Sequence, residues 1–355
     1  MPIIFFHQNE VVGVQGGVER YLSCLLATAK ETSVLVTEGG PNQVGSRIAV
    51  PMPLVNSVPK WMSYSLGVYL HAGRIRRAIK QFDKTTLEFS RPEYALFSWM
   101  FQGTKVFTLH GTGPLRSERL KYVIHRLCCF LLPFSADLLQ VVGRDTGALP
   151  PVVKSRMQHR IRYVDAWYDE CFKVSPFPDT EGPLRVFYAG RISLQKNPGL
   201  LFSIIEHCSK EWGGAIEFRY MGSNEDKIPD LVRRNVKCLG LLNAEELATA
   251  IADCHVGILC STSEGSPFIV IETIACGRCF VLPPLPNLLE TYDHFPGVFF
   301  ADDYTLQSFV LKLIEAQAAI KNGMTPEDIH GRISHRSQAV AATALAKLLE
   351  DDSHR

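Results

Sequence analysis

The stretch VGILCSTSEGSPFIVIETIACGRCFVL, residues 256–282, decides the fold class. Its first five residues predict a buried strand, which ends at the turn that contains Gly265. Residues 268–275 have the apolar pattern of a buried helix, and residues 279–282 predict a second buried strand. A strand, a helix and another strand in this order are typical of a parallel sheet whose strands are joined by crossover helices.

The same alternation extends over the whole chain, which predicts an α/β protein with parallel sheets. Further strands are predicted at Ile3–Phe6, Ser33–Thr37, Thr86–Phe89, Lys105–Leu109, Val186–Ala189 and Glu217–Met221. Helices are predicted at Val18–Thr32, Pro198–Lys210, Ala244–Asp253 and Tyr304–Asn322. The Pro-, Asp- and Gly-rich segment VSPFPDTEG, residues 174–182, predicts a linker. We therefore expect two domains, residues 1–173 and 174–333, followed by a last helix at about 334–350.

The composition excludes several classes of protein. With 46% hydrophobic and 21% charged residues, the chain of 355 residues is not expected to be disordered. No apolar stretch approaches the roughly 18 residues of a membrane span, and the first residues do not resemble a signal peptide. A cytoplasmic location is therefore expected, where the ten cysteines would be reduced thiols.

The charge is unevenly distributed along the chain. Residues 1–172 hold 20 Lys and Arg against 13 Asp and Glu, whereas residues 173–355 hold 17 against 23. A basic first half is compatible with nucleic acid, anionic lipid or a phosphorylated substrate. Because no base-reading motif is present, nucleic acid is not expected as a partner.

Charged side chains follow two predicted strands of the second half. Arg191 and Lys196 lie in the loop after one strand, where two cations fit a diphosphate. Glu264 and Glu272 flank the turn and the helix start of the opening stretch, where N–H groups bind phosphate and carboxylates accept hydrogen bonds from sugar hydroxyls. The same residues are also compatible with a helix cap and solvated loop charges.

Two motifs of the first half are candidates for ligand binding. Gly13, Gly16 and Gly17 follow the first strand and would let the backbone approach a ligand closely, although their order differs from the GxGxxG fingerprint. His110 ends a predicted strand and precedes Gly111, so it is either a site residue or a structural histidine.

Taken together, these motifs resemble the retaining glycosyltransferases of family 4, which have the GT-B fold. The resemblance is carried by Gly16-Gly17 with Glu19, by His110-Gly111, by AGRIS with Lys196, and by the two glutamates seven residues apart followed by ACG. It spans residues 10–290 and implies two Rossmann-like domains whose parallel sheets face a central cleft. The first domain would bind the acceptor and the second the nucleotide-sugar donor. The last helix, 334–350, would pack back on the first domain.

The resemblance implies a role for each matching residue. Arg191 and Lys196 would hold the donor diphosphate. Glu272 would bind the ribose hydroxyls, and Glu264 the donor sugar. The backbone amides of Phe268 and Ile269, with Gly16 and Gly17, would lie near the diphosphate, and His110 near the reaction centre.

The expected reaction is the transfer of a hexose from a nucleotide-diphosphate sugar to a glycan or lipid-linked acceptor in the synthesis of cell-surface polysaccharide or glycolipid. Fixed cations and helix N–H groups would stabilise the leaving diphosphate. Because the chain has no Asp-x-Asp motif, the transfer is expected to be metal-independent. No cofactor is expected, since the nucleotide sugar is the donor substrate. The alternatives are a GT-B sugar-nucleotide epimerase or phosphorylase, and a non-catalytic sugar-nucleotide-binding protein.

The chain departs from the usual family pattern at three places. Pro267 and Thr273 replace the more frequent Gly and Ala, and the segment before the linker is reduced to Tyr163-Val164-Asp165. These differences bear on the donor sugar.

Two further patterns leave alternatives open. Residues 115–134 combine an apolar helical stripe of Leu120, Ile124, Leu127 and Leu131 with basic side chains. This stripe would either contact the inner face of an anionic membrane or pack on its own sheet. Cys276 and Cys279 form a CxxC pair that is expected to be structural.

Overall fold

A computed structural model describes residues 2–9, 18, 21–22, 34–37, 46–53, 58–110, 119–143, 149–333 and 336–337. These residues fall into two compact units, the first within residues 1–165 and the second within 166–338. The boundary lies at Asp165, a few residues before the boundary at 173 expected from the sequence. Gly16, Gly17 and most of the predicted last helix, 334–350, lie outside the described residues.

The first unit contains a seven-stranded parallel sheet in the order β3-β2-β1-β4-β5-β6-β7. Its strands are β1 (Ile3–Phe6), β2 (Val34–Thr37), β3 (Ser46–Ala49), β4 (Thr86–Phe89), β5 (Thr104–His110), β6 (Leu138–Val142) and β7 (Ile161–Val164). Its helices are α1 (Lys60–Ile79), α2 (Ala95–Ser98), α3 (Arg119–Cys129), α4 (Leu132–Ser135) and α5 (Pro151–Met157). The chain crosses to the other half of the sheet between β3 and β4, so β1 and β4 are neighbours.

The second unit contains a six-stranded parallel sheet in the order β10-β9-β8-β11-β12-β13. Its strands are β8 (Leu184–Ala189), β9 (Ile216–Met221), β10 (Val236–Cys238), β11 (Val256–Ile258), β12 (Cys279–Leu282) and β13 (Val298–Phe300). Its helices are α6 (Pro198–Trp212), α7 (Asp230–Arg233), α8 (Ala244–Ala252), α9 (Phe268–Ala275), α10 (Pro286–Tyr292), α11 (Leu306–Lys321) and α12 (Pro326–His330). Numbered from β8, the order is 3-2-1-4-5-6, the Rossmann order.

The sequence explains these elements through burial and capping. The central strands are short runs of Val, Ile, Leu and Phe because helices cover both faces of a parallel sheet. Helix α8 begins at a capping box in which Asn243 and Glu246 each accept a hydrogen bond from the other's backbone N–H group. Proline occupies the first position of α6, α10 and α12, where no intrahelical N–H bond is lost.

The predicted α/β fold with two Rossmann-like parallel sheets is confirmed. The opening stretch forms β11, α9 and β12 as expected, although β11 ends at Ile258 and not at residue 260. None of the helices in the described residues is long and apolar enough to cross a membrane.

The predicted linker, residues 174–182, has no regular secondary structure, but it is anchored to the second unit. The buried side chain of Arg278 donates hydrogen bonds to the carbonyls of Ser175 at 2.8 Å and Pro176 at 2.7 Å, and to that of Ala252 at 2.7 Å. Its guanidinium also lies over the ring of Phe177, 5.3 Å from the centroid. Arg278 therefore ties this segment to the sheet core through neutral acceptors.

We predict that Arg278→Leu lowers the free energy of unfolding by about 3 kcal/mol or more, because several buried carbonyls lose their donor. Urea-induced unfolding of both proteins measures this difference. Arg233→Leu is the control, since Arg233 is half-exposed and pairs with Glu225 at 3.5 Å. Its cost is expected to stay within about 1 kcal/mol. Equal losses in the two variants would contradict the prediction.

Candidate active site

The candidate site of the second unit lies where the strand order reverses. Strands β8 and β11 are neighbours, and the chain continues from them toward opposite edges of the sheet. The loops that leave their carboxyl ends therefore diverge, and in open α/β sheets ligands bind in the crevice formed there. The loop after β8 carries Arg191 and Lys196, and the loop after β11 carries Glu264.

The loop after β8 is fixed through its backbone. Gly190 has a φ of 146°, a backbone conformation that residues other than glycine rarely adopt. Its N–H group donates to the carbonyl of Met221 at 2.9 Å, and its own carbonyl lies 2.9 Å from the hydroxyl of Tyr220, whose single hydrogen it shares with the carbonyl of Ser223. Burial raises the pKa of Tyr220 to about 12, so this hydroxyl keeps its proton and remains a donor.

Arg191 is fixed at the backbone and free at the side chain. The hydroxyl of Tyr188 donates to the Arg191 carbonyl at 3.0 Å. The Arg191 side chain is exposed and forms no ion pair within the described part of the chain. A rigid backbone that carries an uncompensated guanidinium is suited to binding an anion.

The two loops are joined side by side. The amide of Gln195 donates to the carbonyl of Ser263 at 2.7 Å, and the backbone N–H of Thr262 donates to the carbonyl of Gln195 at 2.9 Å. Beside these bonds, Nζ of Lys196 lies 2.5 Å from Oε1 of Glu264. The side chain of Glu264 is only 7% exposed and that of Lys196 19%. The structure thus brings together a cation and a carboxylate that are 68 positions apart in the sequence.

Asn287 fixes the turn of the second loop, and sequence reasoning missed it. Its side-chain amide donates to the carbonyls of Glu264 at 2.9 Å and Gly265 at 2.8 Å. Asn287 belongs to α10, which follows the next strand of the sheet, so no local motif connects it with the turn. An Asn near a helix start is usually attributed to capping, which hides such a contact from a sequence.

Helix α9 begins at this turn. Its N-terminal flanking residue, Pro267, makes no capping hydrogen bond, and so the first backbone N–H groups, at Phe268 and Ile269, receive no side-chain cap from it. Phe268 packs edge-on against Trp167, with 5.4 Å between ring centroids. Trp167 is a second residue that sequence reasoning missed, since nothing near it resembles a motif.

Glu272 lies one turn further along α9. It is buried in a helix whose other residues are almost all apolar. A buried carboxylate depends on polar partners, so its position is set by more than apolar packing. The glutamate pair of the sequence therefore splits into Glu264 in the loop and Glu272 within the helix.

His110 is the last residue of β5 in the first unit. It is half-buried, and its ring meets that of Tyr21 edge-on, with 5.0 Å between centroids. Gly16 and Gly17, which are predicted from the sequence to belong to the same site, lie outside the described residues.

Neither a metal cluster nor a reactive thiol pair is found in the described residues. No group of three or more His, Cys, Asp and Glu side chains is placed there so that it could hold a metal ion. Cys276 and Cys279 are buried free thiols, and burial raises the pKa of each to about 12. Protonated buried thiols are inert, which agrees with the structural role expected for this pair.

Comparison with known proteins bears on the identity of the second unit. Residues 183–319 match the model of the family Glycosyl transferases group 1. Over these residues the second unit is similar to the group 1 glycosyltransferases. The resemblance found in the sequence and the predicted enzyme class are thereby confirmed, while membership of family 4 stays a prediction.

Individual relatives agree with this assignment. The chain is 29% identical over 127 residues to the O-antigen biosynthesis protein RfbC of Myxococcus xanthus. The match covers 34% of this chain and only 10% of that protein. The fold is that of HepE from Anabaena, crystallised with UDP, with a TM-score of 0.74, 15% identity and coverage of 99% of this chain and 100% of that one.

Sucrose-phosphate synthase from Thermosynechococcus elongatus gives a TM-score of 0.75 at 14% identity, with 99% of this chain and 98% of the other covered. WaaG, a glycosyltransferase involved in lipopolysaccharide biosynthesis, gives 0.72 at 11% identity, with 98% and 99% covered. These likenesses establish the GT-B glycosyltransferase fold.

We predict that Gly222→Ala disturbs the site from outside it. A Cβ atom at Gly222 would lie 2.2 Å from the carbonyl oxygen of Gly190, so the loop that carries Arg191 has to move. The expected loss is about 1–3 kcal/mol of unfolding free energy, measured by thermal unfolding.

Gly199→Ala is the matched control. Gly199 lies in the first turn of α6, and nothing stands within 4 Å of an added Cβ atom. Because alanine favours the helix, this variant is expected to gain about 0.5–1 kcal/mol. The prediction fails if Gly222→Ala is as stable as the control.

Proposed function

We propose that the protein is a retaining, metal-independent glycosyltransferase. It moves a hexose from a nucleotide-diphosphate sugar to a glycan or lipid-linked acceptor in the synthesis of cell-surface polysaccharide or glycolipid. The observation that carries the proposal is the convergence at the β8–β11 switch point of the exposed Arg191, the Lys196–Glu264 pair and the start of α9.

The relatives agree with this chemistry. HepE of Anabaena was crystallised with UDP and with UDP-glucose. The Myxococcus relative is named for O-antigen biosynthesis, and WaaG for lipopolysaccharide biosynthesis. A nucleotide-sugar donor and a surface-glycan product are therefore the substrate classes that we carry over to this chain.

The donor would be bound by complementary charge. The Arg191 guanidinium offers paired N–H donors to phosphate oxygens, and the N–H groups at the start of α9 add a helix dipole. The Lys196 ammonium has three N–H bonds, of which one satisfies Glu264 and two remain for the diphosphate. Glu264 keeps its second oxygen for a sugar hydroxyl, and Glu272 is assigned to the ribose hydroxyls.

The reaction needs stabilisation of the leaving diphosphate. As the bond between the anomeric carbon and the phosphate oxygen breaks, negative charge grows on that oxygen beside Arg191 and Lys196. The acceptor hydroxyl forms the new bond on the same face of the sugar and passes its proton to the leaving oxygen. Prearranged donors of this kind contribute roughly 3–4 kcal/mol each, which makes a divalent metal unnecessary.

The first unit would contribute the acceptor site and His110. In this proposal His110 is the group of the first unit that takes part at the reaction centre, and no cofactor is required.

We predict that Arg191→Ala weakens binding of the preferred nucleoside diphosphate about 10- to 100-fold, because a charged hydrogen-bond partner is lost. Calorimetric titration with a panel of nucleoside diphosphates, in the presence of EDTA, measures the effect. Arg233→Ala, in the same unit, is the control and is expected to bind like the wild type.

The outcomes separate the alternatives. Absence of nucleotide binding by the folded wild type contradicts the proposal. Binding without transfer to any acceptor favours a non-catalytic sugar-nucleotide-binding protein. Activity that EDTA abolishes and Mn²⁺ restores contradicts metal independence.

The lipid-linked acceptor is supported by an exposed apolar surface on the first unit. Most of the predicted stripe faces outward. Leu120 is 74% exposed, Leu127 60% and Leu131 38%, whereas Ile124 is half-buried, and Phe134 beyond the stripe is 81% exposed. The face of α3 that packs inward carries His125, Cys128 and Cys129. This exposure favours the membrane alternative over a stripe that packs on its own sheet.

Basic residues accompany this surface. Arg119, Lys121 and Arg126 belong to the same helix. A helix with an exposed apolar face and flanking cations binds in the interface of an anionic membrane. We propose a peripheral contact of this surface with the inner face of the cytoplasmic membrane, where lipid-linked acceptors are present.

We predict that Leu127→Glu combined with Phe134→Glu lowers binding to vesicles of phosphatidylglycerol and phosphatidylcholine at least 10-fold, since each large apolar side chain contributes about 1.5–3 kcal/mol on burial. Sedimentation with vesicles at low salt measures it. Leu311→Glu, at a half-exposed leucine of the second unit, is the control. Unchanged sedimentation of the double variant would rule out this surface.

A further inference from the structure

We propose that Glu88 is a positioning residue for His110, acting through a buried chain of hydrogen bonds that crosses three strands of the first sheet. The inference rests on the proposed function, in which His110 takes part in the transfer. Glu88 and its partners all belong to the first unit, and no motif of the sequence points to them.

The chain of hydrogen bonds lies on one face of the first sheet. Alternate residues of a strand point to opposite faces, and Phe89, Phe107 and Leu139 belong to the apolar core on one of them. The opposite face carries Glu88 on β4, Thr108 on β5 and Gln140 on β6, each at most 1% exposed. Thr108 and Gln140 are directly paired in the strand register.

Hydrogen bonds connect these side chains in sequence. The Thr108 hydroxyl bonds to the Glu88 carboxyl and lies 3.3 Å from Oε1 of Gln140. The hydroxyl of Tyr21 donates to the same Gln140 oxygen. The chain therefore runs from β4 through β5 and β6 to a residue outside the sheet.

The chain is continuous only when the carboxyl of Glu88 is protonated. Thr108 has a single hydroxyl hydrogen. An ionised Glu88 takes that hydrogen, and the contact with Gln140 is then no hydrogen bond. A protonated Glu88 donates to Thr108 Oγ1 instead, which releases the Thr108 hydrogen to Gln140.

The environment favours this protonated form. Burial raises the pKa of Glu88 to about 8, and the hydrogen bond from Thr108 only partly opposes the rise. Among the described residues, the other titratable groups of this face are Tyr21, His110 and His7, and His7 bonds to Ser90 with Nδ1 2.7 Å from the hydroxyl oxygen. At pH 7 most molecules therefore hold an uncharged Glu88.

The far end of the chain supports His110. Tyr21 is fully buried, and its ring meets His110 edge-on at 5.0 Å and 74°. His110 stands two residues beyond Thr108 on β5, so it shares the face of the chain and lies one level nearer the carboxyl edge. A fixed Tyr21 restricts the orientation of the His110 ring.

Apolar side chains at these positions would stabilise the fold without the cost of an unsatisfied buried polar group. Buried polar chains are costly when incomplete, and replacing them by well-packed apolar side chains is often neutral or stabilising. Thr86, on the same strand and the same face, is equally buried, and its hydroxyl has no hydrogen-bond partner among the described residues. It serves as the matched control.

The test compares Glu88→Gln, Glu88→Leu and Thr86→Val in a transferase assay between pH 5.5 and 9.5. In the wild type we expect kcat to fall above about pH 8, as Glu88 loses its proton and the chain breaks. Glu88→Gln keeps an uncharged donor and is expected to lack this fall. Glu88→Leu is expected to lose about 10-fold in kcat at every pH, with the donor KM within twofold of the wild type.

Thr86→Val should keep the wild-type kcat and pH profile. The proposal is overturned if Glu88→Gln shows the wild-type fall, or if Glu88→Leu keeps the wild-type kcat.

A second readout does not depend on transfer activity and separates this inference from the proposed function. The ring resonances of His110, assigned with a His110→Gln variant, are followed by NMR across the same pH range. We expect an inflection near pH 8 in the wild type and in Thr86→Val, and none in Glu88→Gln. If the wild type shows this inflection but no transfer activity, only the proposed function is refuted. If the wild type shows no inflection, the role of Glu88 is refuted.

Discussion

The hydrogen bonds that join the loop after β8 to the loop after β11 are the interaction on which the candidate site depends. Strands β8 and β11 are adjacent, yet the chain leaves them in opposite directions, so nothing in the sheet itself holds their loops together. The bonds of Gln195 to Ser263 and Thr262 supply that connection, and the Lys196–Glu264 pair lies next to them. Because the pair is mostly buried, each charge makes the burial of the other tolerable. The loop is therefore held in place even though the Arg191 guanidinium has no ion-pair partner among the described residues.

The first unit manages a comparable problem in a different way. Its sheet has the same reversal of strand order, between β1 and β4, but the polar groups beside it are buried under helical residues such as Tyr21. Side-chain hydrogen bonds join Glu88, Thr108 and Gln140 within the sheet, and an ion pair of this unit, between Arg91 and Glu93 at 3.2 Å, lies in the segment after β4. One sheet therefore carries exposed charge beside a neutralised pair, suited to an anionic ligand, and the other carries a hydrogen-bonded layer beneath a histidine.

The sequence predicts the fold well because the fold depends on local patterns. Runs such as residues 279–282 are apolar throughout, and the glycines and prolines around them mark the ends of the strands. Strands β6 and β7 escaped prediction because polar residues, Gln140 and Arg162 among them, interrupt their apolar runs. Within the site, the motif residues could be named from sequence, but Asn287 and Trp167 could not. Their contacts join segments far apart in the chain, which no local pattern encodes. The same holds for Arg278, which occupies a position where a buried cation without a carboxylate is not expected.

The buried carboxyl of Glu88 has a consequence for the energetics of the whole chain. Between about pH 4.5 and 8 this group holds its proton in the folded protein and loses it in the unfolded one. Unfolding at neutral pH therefore releases a proton into the solution, and the free energy of unfolding declines as the pH rises through that range, by at most about 1.4 kcal/mol per pH unit. The buffer binds that proton, and its binding releases or absorbs heat. The enthalpy that a calorimeter records on melting this protein thus includes a contribution from the ionisation of whichever buffer surrounds it.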